Sequence, residues 1–175
     1  LKLFIKEDII PATADRPLFI LAPFLIFIGA LTGFVAVPFG EKIIITDMNI
    51  GIFYIVGVGS LAVIALILAG WSSNNKWALY GGMRSAAQII SYEIPAGISL
   101  VTVIMIASSL SMQDIISYQS GGLFGWIIFD NPFMPIVFVI FFITILAETN
   151  RPPFDLPESE SELVAGFVTE YSGTR

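Results

Sequence analysis

Residues 18–37 read LFILAPFLIFIGALTGFVAV, a stretch of twenty residues without a charge. A helix rises ~1.5 Å per residue, so about 20 apolar residues cross a hydrocarbon core ~30 Å thick. The stretch meets that length and predicts a membrane span. Three more apolar stretches follow: residues 50–71, residues 89–110 with Glu93 inside them, and residues 133–147, which end against Glu148. The last covers only about 22 Å at ~1.5 Å per residue, which predicts a helix that continues past Glu148 or begins before Asp130. Either way Glu148 lies at or inside the membrane boundary. The expected fold is all-α: a polytopic transmembrane helical bundle with four spans and an acidic inner loop leading into a further helix. Residues 1–175 show no internal repeat and read as a single membrane domain.

Composition agrees. Hydrophobic residues make up 56% of the chain, charged residues 13%, and the mean hydropathy is +0.87. Fifteen Phe and ten Pro suit helices that face lipid and bend where neighbours support them. The chain has no Cys and no His. Iron–sulfur clusters need thiolates and haem usually needs an imidazole, so no such redox centre, and no zinc site, is expected here. A net charge of −6 argues against a nucleic-acid partner.

Four spans place Lys2, Lys6, Arg16, Lys76, Arg84, Arg151 and Arg175 on one side and Lys42 on the other. The positive-inside rule makes the first side cytoplasmic, or matrix in a mitochondrion. Residues 38–49 and 111–132 then read as connectors on the far side. The opening LKLFIKED has Leu1, Phe4 and Ile5 on one side and Lys2 and Lys6 on the other. It suits a short helix at the inner interface, or a mere flank of the first span. Leu1 is not a start Met and an apolar run is under way again from Leu163, so the chain reads as an internal piece of a longer protein.

Glu93 lies in SYEIPAG, roughly one turn inside the third stretch. A charged carboxylate at mid-membrane costs about 2.5–3.5 kcal/mol on insertion scales, so it should face protein or water. Ala86, Ala96 and Gly97 share its helical face, where small residues let another helix approach. Pro95 has no N–H for the carbonyl of Ser91, which leaves an acceptor near the acid. Glu93 is therefore either a proton-relay site or a carboxyl that merely hydrogen-bonds two helices.

Between Ala147 and Tyr171 the chain packs six carboxylates into AETNRPPFDLPESESELVAGFVTEY. Asp155 and Glu158 carry a helix N-cap signature, with Pro157 tolerated in the first turn. Capping leaves Glu148, Glu160 and Glu162 unexplained. Glu158 and Glu162 fall at i and i+4, where like charges repel and one of the pair tends to keep its proton. The Pro152-Pro153 pair stiffens the turn, and Arg151 is a fixed cation beside the acids. The segment is either a proton-handling site or a solvated acidic loop.

LAETNRPPFDLPESESELVAGFVTEYSG closely resembles the loop after the fifth transmembrane helix of the NuoH family, the membrane subunit of respiratory complex I (NADH-quinone oxidoreductase). LKLFIKEDIIPATADRP and AGWSSNNKWALYGGMRSAAQIISYEIP resemble the same subunit in the same order. The resemblance covers essentially the whole chain, with Thr174 standing where the family has Met.

Such a subunit forms the membrane-facing part of the quinone chamber and begins a chain of buried acids that leads to proton pumping. The resemblance implies that Glu93 and Glu148 are proton-relay residues. It also implies that Arg151, Asp155, Glu158, Glu160 and Glu162 belong to the loop bordering the quinone, and that the loop from Trp71 to Arg84 contacts the peripheral arm. Quinone would be the substrate, with FMN and iron–sulfur clusters carried by other subunits and no cofactor held by this chain. The implied partners are the peripheral-arm quinone-site subunits, adjacent small membrane subunits and the lipid bilayer. The implied location is a bacterial plasma membrane rather than a mitochondrial inner membrane. Two other functions are a homologous membrane subunit of an energy-converting hydrogenase or formate hydrogenlyase, and a stand-alone proton-coupled secondary transporter. Against the transporter, the chain lacks a pair of broken helices at matching positions.

Overall fold

The structure, a computed structural model, describes residue 7 and residues 9–40, 43–155 and 166–172. Among these, all long elements are helices: α1 (Arg16–Gly33), α2 (Gly51–Gly59), α3 (Leu61–Ser72), α4 (Lys76–Ala107), α5 (Met112–Tyr118), α6 (Ile127–Asp130) and α7 (Met134–Glu148). Three runs are long and apolar enough to cross a membrane: Arg16–Ala36, where a 3-10 turn extends α1; Gly51–Ser72, which joins α2 and α3; and Lys76–Ala107. Met134–Glu148 is a shorter apolar helix. The all-α bundle expected from the sequence is the one observed.

The ends of these helices follow local chemistry. Pro17 sits in the first turn of α1, where its missing N–H costs nothing. Asn75 caps α4, its side chain accepting from the N–H of Trp77 at 2.9 Å. This cap starts α4 thirteen residues before the expected third span, so residues 76–84, expected as part of an inner loop, are helical. At ~1.5 Å per residue α4 is about 48 Å long, more than a ~30 Å core requires. The helix is therefore longer than one crossing needs. Glu93 lies fourteen residues, about 21 Å, before the end of the helix at Ala107.

The fourth stretch departs from expectation. α7 neither passes Glu148 nor reaches back before Asp130. Asn131 is extended at φ −141°, and Pro135 opens the helix. At the other end Asn150 takes φ +48°, a left-handed turn that halts the helix. The far-side connector is also structured: α5 and α6 lie within residues 111–132, with Ile115 and Ile127 buried against Ile52 of α2 and Met134 of α7.

Hydrocarbon is as apolar as leucine, so helices in lipid associate through close packing rather than water exclusion. The α3–α4 contact shows this. A Cβ on Gly70 would stand 2.8 Å from the Ala78 carbonyl oxygen, and one on Gly82 would stand 2.8 Å from that of Leu66. Side chains larger than hydrogen would force the backbones apart. Gly97, expected to admit a neighbouring helix beside Glu93, has open space where its Cβ would be. The close approach lies about four turns earlier, where α4 meets α3.

Candidate functional site

One end of the bundle gathers the polar groups. The Asp15 N–H donates to the Ser72 carbonyl at 2.9 Å, and the Asn74 side chain donates to the Thr13 carbonyl at 3.1 Å. Asn75, besides capping α4, donates through Nδ2 to Glu170 Oε1 at 2.7 Å. The segment 166–172 thus closes over the starts of α1 and α4. Gly166 packs backbone to backbone on Gly81, and Tyr171 stacks on Phe19 with centroids 4.1 Å apart. A cavity of about 830 Å³ opens here, lined in part by Asp15, Trp71, Asn75, Lys76 and Glu170.

Glu93 sits deeper, half-buried on α4. Its Oε1 accepts a 2.5 Å hydrogen bond from the Ser60 hydroxyl, at the joint between α2 and α3. A short bond of this kind is what a carboxylate among helices needs to offset lost water. Glu148 ends α7, which packs against α4, the helix that carries Glu93. These two predicted residues therefore lie on neighbouring helices.

The chain beyond Glu148 is tied back to α4. Gln88 Nε2 lies 3.1 Å from the Ala147 carbonyl, 3.3 Å from Asn150 Oδ1 and 2.8 Å from the Phe154 carbonyl. Its two hydrogens are shared among three acceptors from one loop. One turn further along α4, the ring of Tyr92 meets that of Phe154 edge-on at 5.3 Å. The loop that carries Arg151 and Asp155 is thereby held beside the helix that carries Glu93. Both Arg151 and Asp155 are exposed. Glu158, Glu160 and Glu162, together with the expected Asp155 cap, the further helix and the opening LKLFIK, lie outside the described residues.

Ser60, Gln88 and Asn75 were not singled out by sequence reasoning. Each is a neutral polar residue with ordinary local readings, and only its partner on another helix gives it a role. One sequence signal does exist for Ser60: the GVGS run inside an apolar stretch marks a weak point in a helix. Among the described residues no three His, Cys, Asp or Glu side chains converge as a metal site would require. A second cavity of about 260 Å³, between α4 and α7 toward the far end, is almost wholly apolar, with Trp126 and Phe138 in its walls. Neither cavity is lined by Glu93, Glu148, Arg151 or Asp155.

Apolar helices joined through buried small residues, with carboxyls lodged where they meet, define a polytopic helical membrane protein. The chain belongs to the NADH dehydrogenase family, whose model matches residues 1–175. Curated relatives agree. The chain is 56% identical over 174 residues to the H subunit of NADH-quinone oxidoreductase from Anaeromyxobacter dehalogenans, an alignment covering 99% of this chain and 42% of that protein. It is 54% identical over 177 residues to the equivalent protein of Chlorobaculum tepidum, covering 100% of this chain and 49% of that protein. With that of Rhodospirillum centenum the identity is 50% over 173 residues, covering 99% and 50%. The chain spans about half the length of the curated relatives it matches.

Proposed function

We propose that this chain is the central part of the membrane subunit that couples quinone reduction to proton translocation in NADH-quinone oxidoreductase. The observation that carries the proposal is the Gln88 tie. It holds the 147–155 loop against α4, so that the loop carrying Arg151 and Asp155 lies beside the helix that carries Glu93. Quinone reduced beside the loop changes the local charge. Glu158, Glu160 and Glu162 belong to the same loop in sequence and contribute to that response. Glu148, the last residue of α7, passes the change to Glu93 on the neighbouring α4.

In this reading the chain acts only within an assembly. FMN and iron–sulfur clusters reside in other subunits, electrons arrive from them, and this chain supplies protonatable groups and part of a quinone-binding wall. Peripheral-arm subunits cover the polar end of the bundle, where Asp15, Lys76 and Glu170 surround the open cavity. Small membrane subunits and lipid cover the apolar flanks, and the site of action is a bacterial plasma membrane.

Glu93→Gln in the intact complex tests the relay. Loss of proton pumping supports it, and wild-type quinone reduction together with wild-type pumping refutes it. Replacing Arg151 separates the loop's role from folding: reduced quinone turnover in a fully assembled complex supports a quinone-facing loop, whereas failure to assemble indicates a structural one.

A further inference from the structure

The second span changes its hydrogen-bond register at Ser60, close after Gly57 and Gly59: the backbone stays helical (φ −61°, ψ −17°), but the Val63 N–H donates to the Ser60 carbonyl three residues back at 3.2 Å. Neither glycine has a neighbouring heavy atom within 4 Å of where its Cβ would stand, so packing does not force the change. What the joint offers is a side chain with two acceptors in reach. Ser60 Oγ lies 2.5 Å from Glu93 Oε1 and 3.2 Å from the carbonyl oxygen of Val56. A hydroxyl has one hydrogen to donate and two lone pairs to accept with. The Val56 carbonyl already receives the Ser60 N–H at 3.2 Å, which leaves it a second lone pair.

We propose that Ser60 is a positioning residue for Glu93, reversing its hydrogen bond when that acid gains a proton and so registering the event at the joint between α2 and α3. With Glu93 ionised, Ser60 donates to the carboxylate. When the carboxylate takes up a proton, the new O–H donates to Ser60 Oγ, and the Ser60 hydrogen turns to the Val56 carbonyl. One O–H bond forms on Glu93 and one breaks on the hydronium or water that delivers the proton, while the covalent O–H bond of Ser60 stays intact. The glycines beside the joint leave it free to respond, because kinks concentrate at Gly/Ser pairs. Among the described residues, Glu148 at the end of α7 is the carboxyl on a helix packed against α4. The Ser60–Glu93 bond thus ties α4, which packs on α7, to the second span.

The inference rests on the relay role proposed for Glu93 and adds a partner on another helix. Its test uses the intact complex with Ser60→Ala, Ser60→Thr and Glu93→Gln. The readouts are the infrared difference spectrum on quinone reduction, in which the Glu93 carboxyl band is the one lost in Glu93→Gln, and the number of protons moved per quinone reduced. Ser60→Ala should shift that band and lower the proton ratio, and Ser60→Thr, which restores a hydroxyl, should return both. A band unmoved by Ser60→Ala overturns the inference. Should Ser60→Ala not assemble, Ser60→Cys, nearly isosteric with a weak donor, takes its place under the same criterion. If Glu93→Gln abolishes pumping while Ser60→Ala leaves band and ratio unchanged, only the Ser60 role falls. If Glu93→Gln leaves pumping intact, the relay itself falls, and the Ser60 role with it.

Discussion

The hydroxyl of Tyr171 donates to the main-chain carbonyl of Phe19 at 3.1 Å, and this is the carbonyl that Pro23 leaves without a donor. In an unbroken helix the N–H of residue 23 would serve it; proline has none. A residue more than 150 positions away in sequence repairs the gap. The same ring stacks on Phe19 at an interplanar angle of 4°.

Tyr171→Phe should therefore keep the stack and lose the hydrogen bond, at a cost of about 1–3 kcal/mol for a partly buried carbonyl left unpaired. Combined with Pro23→Ala, the same change should cost less, because the helix then supplies its own N–H to Phe19. A double-mutant cycle on the melting of the assembled complex measures the coupling. Additive losses would show that the two residues act independently.

Gln88→Met preserves side-chain length and removes both donors. The 147–155 loop should then open more often, by about 2- to 10-fold for one net hydrogen bond. The chain has no Cys, so Phe154→Cys gives a unique label in it. The rate of maleimide reaction at that position, with and without Gln88→Met, reports the opening.

Glycines on α4 should divide by what surrounds them. Gly82→Ala drives a methyl to 2.8 Å from the Leu66 carbonyl oxygen, and Gly81→Ala drives one to 2.5 Å from Gly166 Cα. Each should cost about 1–3 kcal/mol through backbone displacement. Gly97→Ala meets open space and should be neutral or stabilising by up to about 1 kcal/mol. Thermal stability of the three variants in detergent distinguishes them.

Asn75 has two duties that substitution can part. Asn75→Asp keeps the oxygen that caps Trp77 but sets an anion against Glu170 in place of the amide donor. Hydrogen exchange should show the Trp77 amide still protected and residues 166–172 loosened. Asn75→Ala should expose both, with about 0.5–2 kcal/mol lost from the cap alone.

On the far side, Tyr118 donates to Asp130 Oδ2 at 3.0 Å, and that hydrogen bond, then the Asp130 charge, raise the phenol above its ordinary 10.0. A raised value in the folded chain means the pair's contribution is complete below the ordinary phenol range. It is lost as pH rises through the raised value. Alkaline titration of tyrosinate absorbance, with Tyr118→Phe to identify the group, should show the shift vanish in Asp130→Asn.

The three long spans and the family were legible because their signals are local. Twenty uncharged residues at 18–37 leave a helix as the way to satisfy the backbone in lipid, and ETNRPPFDLPE carries its resemblance in contiguous residues. Other features required the folded chain. Nothing adjacent to Ser60 announces Glu93, thirty-three residues on, and nothing near Pro23 announces Tyr171. Gly82 and Gly97 look alike in sequence, yet one meets a backbone and the other open space. The physical reason is that hydropathy acts residue by residue along the chain. The pairing of a polar atom depends on which helix faces it, and that is decided only when the bundle closes.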